Sequence, residues 1–532
     1  MAVADKGDSK EYDLKILLAL FFLVAIPVYA TTYYVDYSTG SDSNNGTAKT
    51  TPWQHLPGMP TATGNAASHT VAPPDNFILK GGVTWPAANF GMQMVFTGSS
   101  SSSSAVGCAG SGCIYIGVDQ SWFSGASWTR PIFDGGGTMA AAFPGGMPSA
   151  VIDLYGGYFI LDNIEFAHWA QTSNTPGTPS IVAMRGNHEE TKNSYFHGWS
   201  HSGTATQDNL QIFGGTASCP PDMTSSIHDN VADGSDTTED AFEFAHPGVG
   251  YIYNNYVAHI HNGIVGSAIY VFQNTFLHIN GSFDATSHGN VVESTGCQLV
   301  LYSNYADDAN GGASIFNGPH DGMVDFDFNN VLTAQQNQII EIDGNELGTG
   351  VGSGIYVFNN TLQSPAGFGG GPVDGPTRGG TLPFMKVYNN NLIADNSNVN
   401  FGTNVSPAGQ VQANNKTWTN AQATAAGYNS GESPYPYAPP TGTSATVGTG
   451  VNESICGLLV DSPPALAATA CNSDTSFGVG YDSVNHTVIV PGRATVARPS
   501  PPSAGALEWA GTGGGGGGVP PLPPTGLTLT VH

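Results

Sequence analysis

Three glutamates stand at similar places in short apolar stretches of the chain. They are Glu243 in "AFEFAH", Glu293 in "VVES" and Glu341 in "IIEIDG". Alternation with a period of two predicts strands whose apolar residues point inward, so the three carboxylates would share one outward face. Clustered carboxyl groups suit hydrolysis, because one can donate a proton while another activates water or attacks. The alternative is a solvated face in an acidic chain.

Further ionisable residues lie close to these strands in the sequence. They are His246, His288 in "DATSHGN", His320 in "NGPHDG" and Asp284. The coincidence of three carboxylates with three nearby imidazoles makes all seven residues candidates for a catalytic site. Glu243, Glu293 and Glu341 are the leading acid/base candidates, and the other four are supporting candidates.

A second group of ionisable residues follows a recurring asparagine by four residues. Its members are His197, His259, His278 and Asp308. In a coiled chain, successive turns would bring the last three within about 5 Å of one another. Such a group can relay protons or bind a metal ion. The alternative is a structural column of polar side chains at a corner.

The recurring asparagine ends a short apolar strand each time, as in "YVFNNTLQ" and "KVYNNNLI". Asn tolerates the left-handed backbone of a tight bend, and stacked Asn side chains can hydrogen-bond as a ladder. The repeat, whose interval is nearly constant, consists of Asn163, Asn193, Asn230, Asn255, Asn274, Asn304, Asn330, Asn360 and Asn390.

One strand-rich unit per roughly 20–30 residues admits few folds. A propeller blade needs about 40–50 residues, and a sandwich has no constant interval. The repeat therefore predicts an all-β, single-stranded right-handed parallel β-helix, a solenoid of about ten coils with two or three short strands in each and an Asn ladder.

Composition limits the partners of this 532-residue chain. It has 13 Lys and Arg against 40 Asp and Glu, which gives a formal net charge of −27. That charge argues against nucleic acid as a partner. It also disfavours a polyanionic substrate unless a cation such as Ca²⁺ bridges the like charges.

The segment Met1–Ala30 is predicted to be a secretion signal. "ILLALFFLVAIPV" is too short for an ordinary membrane span, and "VYA" before Thr31 resembles a cleavage site. We therefore expect no membrane span after signal cleavage, and a protein that is secreted or held at the cell surface. The residues before the apolar run carry four acids and three Lys, so an uncleaved N-terminal anchor is the alternative.

The six cysteines suit an exported protein. Cys108 with Cys113, and Cys456 with Cys471, are close enough in sequence to form local disulfides. Cys219 and Cys297 are isolated and are predicted to be buried free thiols.

Three segments resemble the secreted bacterial right-handed parallel β-helix proteins of the pectate-lyase-like superfamily. "TTYYVDYSTGSDSNNGTAKTTPWQHL" is similar to their opening, "FILKGGVTW" to their first coil, and "RPSPPSAGALEW" to their closing strand. The resemblance spans about Thr31 to Ala510 and implies the fold. It implies little about the reaction, because the superfamily holds lyases, hydrolases, epimerases, esterases and non-catalytic adhesins.

Together the resemblance and the carboxylates predict a secreted carbohydrate-active enzyme that cleaves a polysaccharide, most simply by glycoside hydrolysis and as a monomer. A Ca²⁺-assisted lyase is the enzyme alternative. Lyases of this superfamily often use a Lys or Arg base, and the central coils offer only Arg185, Lys192, Arg378 and Lys386. The non-enzyme alternative is a glycan-binding or structural rod at the cell surface.

The predicted organisation has four parts. Residues 1–30 are the signal peptide and residues 31–510 the β-helix domain. Residues 511–526, "GTGGGGGGVPPLPPTG", form a linker with a flexible Gly run and a stiff Pro segment. Residues 527–532 are a C-terminal remnant.

Overall fold

Short apolar strands separated by Gly- and Asn-rich turns form the three long parallel sheets of this protein. The computed structural model describes residues 30–509, with gaps at 101–105, 107–111, 138–149, 172–179, 202–209, 216–218, 220, 237–241, 247, 267–269, 281–288, 295–296, 317–321, 334–337, 343–352, 368–370, 378, 397–398, 431–435, 453, 477 and 491–494. The predicted signal peptide (apart from residue 30), linker and remnant therefore lie outside the described residues. In the described part of the chain no helix is long and apolar enough to cross a membrane.

The chain passes repeatedly through sheets A, B and C in that order, and each strand pairs in parallel with its equivalent in the next coil. This arrangement confirms the predicted right-handed parallel β-helix. Sheet A has thirteen strands rather than about ten, because the first coils lack the Asn repeat. Its strands are Thr32–Val35, Asn76–Gly81, Ile114–Phe123, Phe159–Asp162, Glu190–Lys192, Asp222–His228, Val249–Tyr253, Tyr270–Phe272, Val300–Tyr302, Val324–Phe328, Gly354–Phe358, Phe384–Tyr388 and Gln410–Ala413.

Sheets B and C complete each coil. The strands of sheet B are Thr84–Pro86, Ile132–Asp134, Glu165–Ala167, Tyr195–His197, Val231–Asp233, Tyr256–Ile260, Thr275–Ile279, Tyr305–Ala309, Val331–Thr333, Thr361–Gln363, Asn391–Ile393 and Lys416–Trp418. The strands of sheet C are Met92–Val95, Ala150–Tyr155, Ser180–Arg185, Leu210–Gly215, Phe242–His246, Asn262–Gly266, Val292–Ser294, Ser314–Phe316, Ile340–Ile342, Val373–Asp374 and Val399–Asn400.

Few other elements are present among the described residues. The helices are α1 (Gly64–Ser68), α2 (Asn420–Ala425) and α3 (Ala467–Cys471), with 3₁₀ turns at Ala87–Asn89, Pro407–Gly409 and Ser454–Leu458. Three pairs of short strands form small two-stranded sheets: Ala170–Gln171 with Ser200–His201, Asp461–Ser462 with Ala465–Leu466, and Gly480–Asp482 with Thr487–Ile489.

The core fills the inside of the coils with stacked aliphatic and aromatic side chains. Val271, Leu301, Val357 and Val387 belong to one such column, and all are buried. Asp327 is in register with Leu301 and Val357, so one carboxyl interrupts this apolar column. Close stacking of coils at about 4.8 Å lets each inward side chain contact its equivalents above and below.

The Asn ladder occupies the corner between sheets A and B. Each ladder backbone N–H donates to the Asn Oδ1 of the next coil at 2.9–3.1 Å. The ladder residues are Asn230, Asn255, Asn274, Asn304, Asn330, Asn360, Asn390 and Asn415. The assignment of Asn163 and Asn193 to the ladder is wrong, since the equivalent positions are Ile164 and Ser194.

The residue before each ladder Asn has the left-handed backbone of the bend. Its φ lies between 53° and 57° from Asn193 onward and is 65° at Asn163. The Asn pairs of the repeat thus have two separate roles, with the first residue forming the bend and the second hydrogen-bonding between coils.

The coils end at Trp418, and residues 436–509 then fold back along the outside of the rod as a segment that we name the strap. In a first excursion the strap runs along sheet A. It starts at Val451, whose carbonyl accepts from Asn389 of the coils, and reaches Ser462, which hydrogen-bonds the Tyr251 hydroxyl at 2.9 Å. It returns to Asn329, which donates to the Ser473 carbonyl.

A second excursion of the strap crosses sheet B. It reaches Tyr195, on which His486 stacks with ring centroids 4.1 Å apart. It then returns to Asn389, whose carbonyl accepts from Gly505 N at 2.7 Å. The expected closing strand in "RPSPPSAGALEW" is not formed. There, Arg498 and Glu508 make a buried ion pair at 2.9 Å instead.

Two disulfides are resolved with both partners. Cys456–Cys471 lies within the strap and confirms the predicted local pair. Cys219 is bonded to Cys297, so the prediction of two free thiols is wrong. Coiling brings together residues that are 78 positions apart, which spacing alone does not reveal. Cys113 is also disulfide-bonded, while Cys108 lies outside the described residues.

Candidate active site

Sheet C contains one column of equivalent strand positions, which we name the carboxylate column. Strand register places Val265, Glu293, Ile315, Glu341, Asp374 and Asn400 side by side on consecutive strands. Ile340 and Ile342 are buried on either side of Glu341, which confirms that its side chain points away from the core. The predicted common face is therefore correct for Glu293 and Glu341.

Glu341 and Asp374 are direct neighbours in this column. They are paired across adjacent parallel strands, whose spacing is about 4.8 Å. Asp374 accepts hydrogen bonds from Asn400 Nδ2 at 2.5 Å and from Gln338 Nε2 at 3.2 Å. Two amide groups thus orient the Asp374 carboxylate beside Glu341.

Glu293 lies two strands from Glu341, a separation of about 10 Å at the ordinary strand spacing. Its Oε2 accepts from Asn290 Nδ2 at 2.8 Å. All three carboxylates are half-buried rather than exposed. The column therefore holds three carboxylates on one face, at separations of one and two strands.

Glu243 does not belong to this column. Glu243 is 5% exposed and in register with Gln211 and Asn262. On its strand the column position is that of His246, three residues later. Gln211 Nε2 donates to its Oε2 at 3.5 Å. The prediction that Glu243 shares the exposed face is wrong, because two successive core residues, Phe244 and Ala245, break the simple alternation.

His246 occupies the column position on the Phe242–His246 strand, next to Val265 and two strands from Glu293. Its side chain is not among those described. Asp284, His288 and His320 lie outside the described residues, as does Arg378. Their predicted supporting roles stay predictions.

Asp374 is the residue that sequence reasoning missed. Its strand has only two residues, Val373–Asp374, in a Gly-rich segment, so no alternation marks it. The signal that could have found it is spacing, because the separation of Asp374 from Glu341 in the sequence is close to the length of one coil.

The basic residues considered for a lyase lie elsewhere. Arg185 Nε pairs with the Asp153 carboxylate at 3.2 Å, four strands from Glu293 in sheet C. Lys192 pairs with Glu190 at 2.6 Å, and Lys386 lies over the rings of Tyr356 and Phe384 on sheet A. Among the described residues of sheet C, no basic side chain is in the strands that carry Glu293, Glu341 and Asp374.

The predicted histidine column is formed in part. The rings of His259 and His278 stack 4.8 Å apart, and His278 Nδ1 is 2.8 Å from Asp308 Oδ2. His197 is not in this column, because it is in register with Asp233, one position earlier. His259 Nδ1 is 3.3 Å from Asp233 Oδ1. Burial alone would raise the pKa of Asp233, but hydrogen bonds from His259 and Ser235 hold it below its ordinary value.

The backbone explains why these residue types occur there. His259, His278 and Asp308 have φ between 54° and 59°, in the left-handed region that His and Asp adopt more readily than most residues. Within the described residues no group of three or more His, Cys, Asp and Glu is arranged to hold a metal ion. The left-handed backbone supports a structural corner, and a proton relay or metal site there stays a prediction.

His197 lies in a second cluster beneath the strap. Glu165 and Asp236 each contact one of its ring nitrogens, at 3.1 and 2.7 Å. Burial lowers the pKa of His197, but these two carboxylates outweigh burial and the net pKa is raised. Tyr195 stacks between His197 and His486, so the imidazolium helps to dock the strap on sheet B.

Neither a family model nor a curated protein sequence matches this chain. Solved structures with a similar fold include the GH136 lacto-N-biosidase from Eubacterium ramulus, at 15% identity over 73% of this chain and 68% of that chain, with a TM-score of 0.41. Pectate lyase Pel9A is 14% identical over 90% of this chain and 96% of that chain, with a TM-score of 0.37. A rhamnogalacturonan lyase is 14% identical over 73% of this chain and 87% of that chain, with a TM-score of 0.33. At these values the similarity assigns no activity to this chain, and the fold assignment rests on its own parallel sheets.

Proposed function

We propose that the protein is a secreted carbohydrate-active enzyme that cleaves a polysaccharide by glycoside hydrolysis at the carboxylate column. The observation that carries the proposal is the pairing of Glu341 with Asp374 on adjacent strands, with Glu293 two strands away on the same face. Most glycoside hydrolases use two carboxyl groups in one site, one as acid and one as nucleophile or base.

The separations suggest roles for each carboxyl. Neighbouring strands are about 4.8 Å apart, so the Glu341 and Asp374 side chains can bring their carboxyl groups to the separation of about 5–5.5 Å used by glycosidases that retain anomeric configuration. Asp374, oriented by Asn400 and Gln338, would attack the anomeric carbon. Glu341 would protonate the leaving oxygen and then activate water. Glu293 would contact a neighbouring part of the sugar.

The charge of the chain favours a neutral polysaccharide. The formal net charge of the whole sequence is −27. A uronate polymer would be repelled unless a cation bridged the carboxylates, as in the Ca²⁺-assisted lyase alternative.

A screen of neutral and acidic glycans with detection of new reducing ends tests the proposal. We expect Glu341→Gln and Asp374→Asn each to lower kcat/KM about a thousandfold or more, since each removes a group that takes part in bond cleavage. Asp119→Asn is the matched control, because Asp119 lies on sheet A and pairs with Lys49. It should leave hydrolysis unchanged.

The products separate the remaining mechanisms. Retention of configuration, followed by NMR of the first product, supports the Glu341 and Asp374 pair. Inversion would indicate that Glu293 acts as the general base in place of Asp374. Glu293 lies about 10 Å from Glu341, which is nearer to the separation of the two carboxyl groups in inverting enzymes. A cation-assisted lyase would instead release unsaturated products that absorb ultraviolet light, and a chelator would stop their formation. Absence of cleavage across the screen would leave a binding or structural rod.

A further inference from the structure

A cavity of about 690 Å³ lies on the outer side of sheet A, away from the carboxylate column on sheet C. Glu190, His228, Tyr251 and Tyr253 line it from the sheet, and the turn Ser462–Pro464 of the strap closes one side. Its volume falls in the range of pockets that bind small molecules.

The polar groups of this cavity are held in place by a buried network. Glu190 Oε1 accepts from Lys192 Nζ at 2.6 Å and contacts His228 Nε2 at 2.9 Å, and His228 Nδ1 is 2.6 Å from Asp229 Oδ2. Burial raises the pKa of Glu190, but His228 and Lys192 outweigh it and lower the pKa to about 2. Glu190 is therefore an ionised carboxylate, and its Oε2 makes no hydrogen bond to another described residue.

Tyr253 supplies the complementary donor. Its ring is clamped between His228, at 4.5 Å, and Phe272, at 4.9 Å, both nearly parallel. Burial and the nearby Asp229 and Glu190 raise the pKa of its hydroxyl, so the proton is retained. Within the described part of the chain this hydroxyl has no hydrogen-bond partner, and it borders the cavity.

The remaining walls combine the hydroxyl residues Thr224, Ser226 and Ser462 with apolar surface. Tyr251, Met223, Pro463 and Pro464 line the cavity beside the polar groups. A ligand that fits must offer hydroxyl groups to a carboxylate and a phenol while it places C–H surface against rings and methylene groups. The charges on Glu190 and Asp229 are already compensated by Lys192 and His228, so the cavity requires no charged ligand.

We propose that this cavity is a second, non-catalytic binding site for a short neutral oligosaccharide. The choice of a saccharide among amphipathic ligands rests on the proposed function. Since sheets A and C are different faces of the rod, a glycan held here is held away from the hydrolytic column. The site would keep the enzyme attached to its substrate between cleavage events.

Titration calorimetry with cellotetraose, xylotetraose, mannotetraose and galactotetraose tests this site in the Glu341→Gln background, which prevents turnover. We expect at least one tetrasaccharide to bind, and Tyr253→Phe and Glu190→Gln each to weaken binding about five- to tenfold, the effect of one lost hydrogen bond. Tyr270→Phe is the matched control. Tyr270 lies beside Tyr251 on the next strand but does not line the cavity. The affinity of the Tyr270→Phe variant for the tetrasaccharide should therefore be unchanged.

Two outcomes overturn the site: no tetrasaccharide binds, or Tyr253→Phe and Glu190→Gln bind as tightly as Tyr270→Phe. The proposed hydrolysis is judged separately by reducing-end release from wild type and Glu341→Gln. Binding that depends on Tyr253 in a protein that cleaves nothing would refute the hydrolase and keep the site. Cleavage without binding that depends on Tyr253 would refute the second binding site and keep the hydrolase.

Discussion

At the scale of single residues, the least expected feature is a pair of acids inside the coils. Asp325 and Asp327 are almost fully buried on the inward side of sheet A. Burial raises the pKa of Asp325 to about 8 and of Asp327 to about 7. Asp327 accepts from Asn330 Nδ2 at 2.8 Å and Ser314 Oγ at 3.1 Å, so it takes the amide proton that Asn330 would otherwise give to the next ladder residue.

These raised values make stability depend on pH in a defined direction. In the unfolded chain Asp327 ionises near its ordinary value of 3.8, while in the folded chain it stays protonated up to about pH 7. The folded state therefore binds more protons between these values, and stability falls as pH rises through that window.

Asp327→Asn should remove the contribution of Asp327 to this dependence and leave that of Asp325, because a neutral amide of the same shape can still accept from Asn330. We expect a gain of about 4 kcal/mol in the free energy of unfolding at pH 8 and little change near pH 4. Urea unfolding of both proteins at the two pH values measures it. An equal effect at pH 4 and pH 8 would show that Asp327 is not protonated in the native state.

At the scale of elements, the ladder at the corner of sheets A and B keeps the coils in register. Asn255 donates from Nδ2 to the Ile227 and Tyr253 carbonyls and to Asn274 Oδ1, and its own Oδ1 accepts from Asn230. Apart from the half-buried Tyr253 these residues are buried, so losing the side chain leaves several backbone groups without partners.

Asn255→Ala should therefore destabilise the protein by about 2–4 kcal/mol. Asn254→Gly is the control one residue earlier, because Asn254 has φ 54° and glycine adopts that backbone freely. Thermal or urea unfolding compares the two variants. A control that costs as much as Asn255→Ala would mean that the bend, not the ladder, holds the corner.

The same corner shows how far the sequence can be followed. The period of the Asn pairs predicted the solenoid, the strand order and the ladder from Asn230 onward. It misplaced Asn163 and Asn193 by one residue, because bend and ladder positions are adjacent and both favour Asn. The column of Glu293 and Glu341 was likewise predictable from strand alternation. The positions of Glu243 and Asp374 were not predictable. Two successive core residues break the alternation after Glu243, and the strand of Asp374 has only two residues and so shows no alternation.

At the scale of the whole molecule, the strap joins coils that are far apart along the rod. Arg498 anchors it, with hydrogen bonds to Glu508, to Asn329 Oδ1 and to the carbonyls of Ser473, Gly505 and Ala506. The sequence did not predict this segment, because its partners are up to 356 residues away.

Arg498→Met should release the strap and leave Glu508 buried without its partner, at a cost of about 3–5 kcal/mol. Hydrogen exchange should then rise in residues 436–509 before it rises in the coils. Lys49→Met removes a partly exposed ion pair and should cost less than about 1 kcal/mol. Simultaneous exchange of strap and coils in Arg498→Met would show that the strap does not open separately.

The strap also has a consequence for how such a rod can change its length during evolution. Repeat proteins usually gain or lose a unit at little cost, because each unit contacts only its neighbours. Here the strap passes the stretch between Tyr302 and Asn329 four times, twice in each excursion. An inserted coil would lengthen the rod there by about 4.8 Å, so each pass would need one or two more residues. Duplication of a single coil would therefore have to be matched by four compensating insertions elsewhere in the gene.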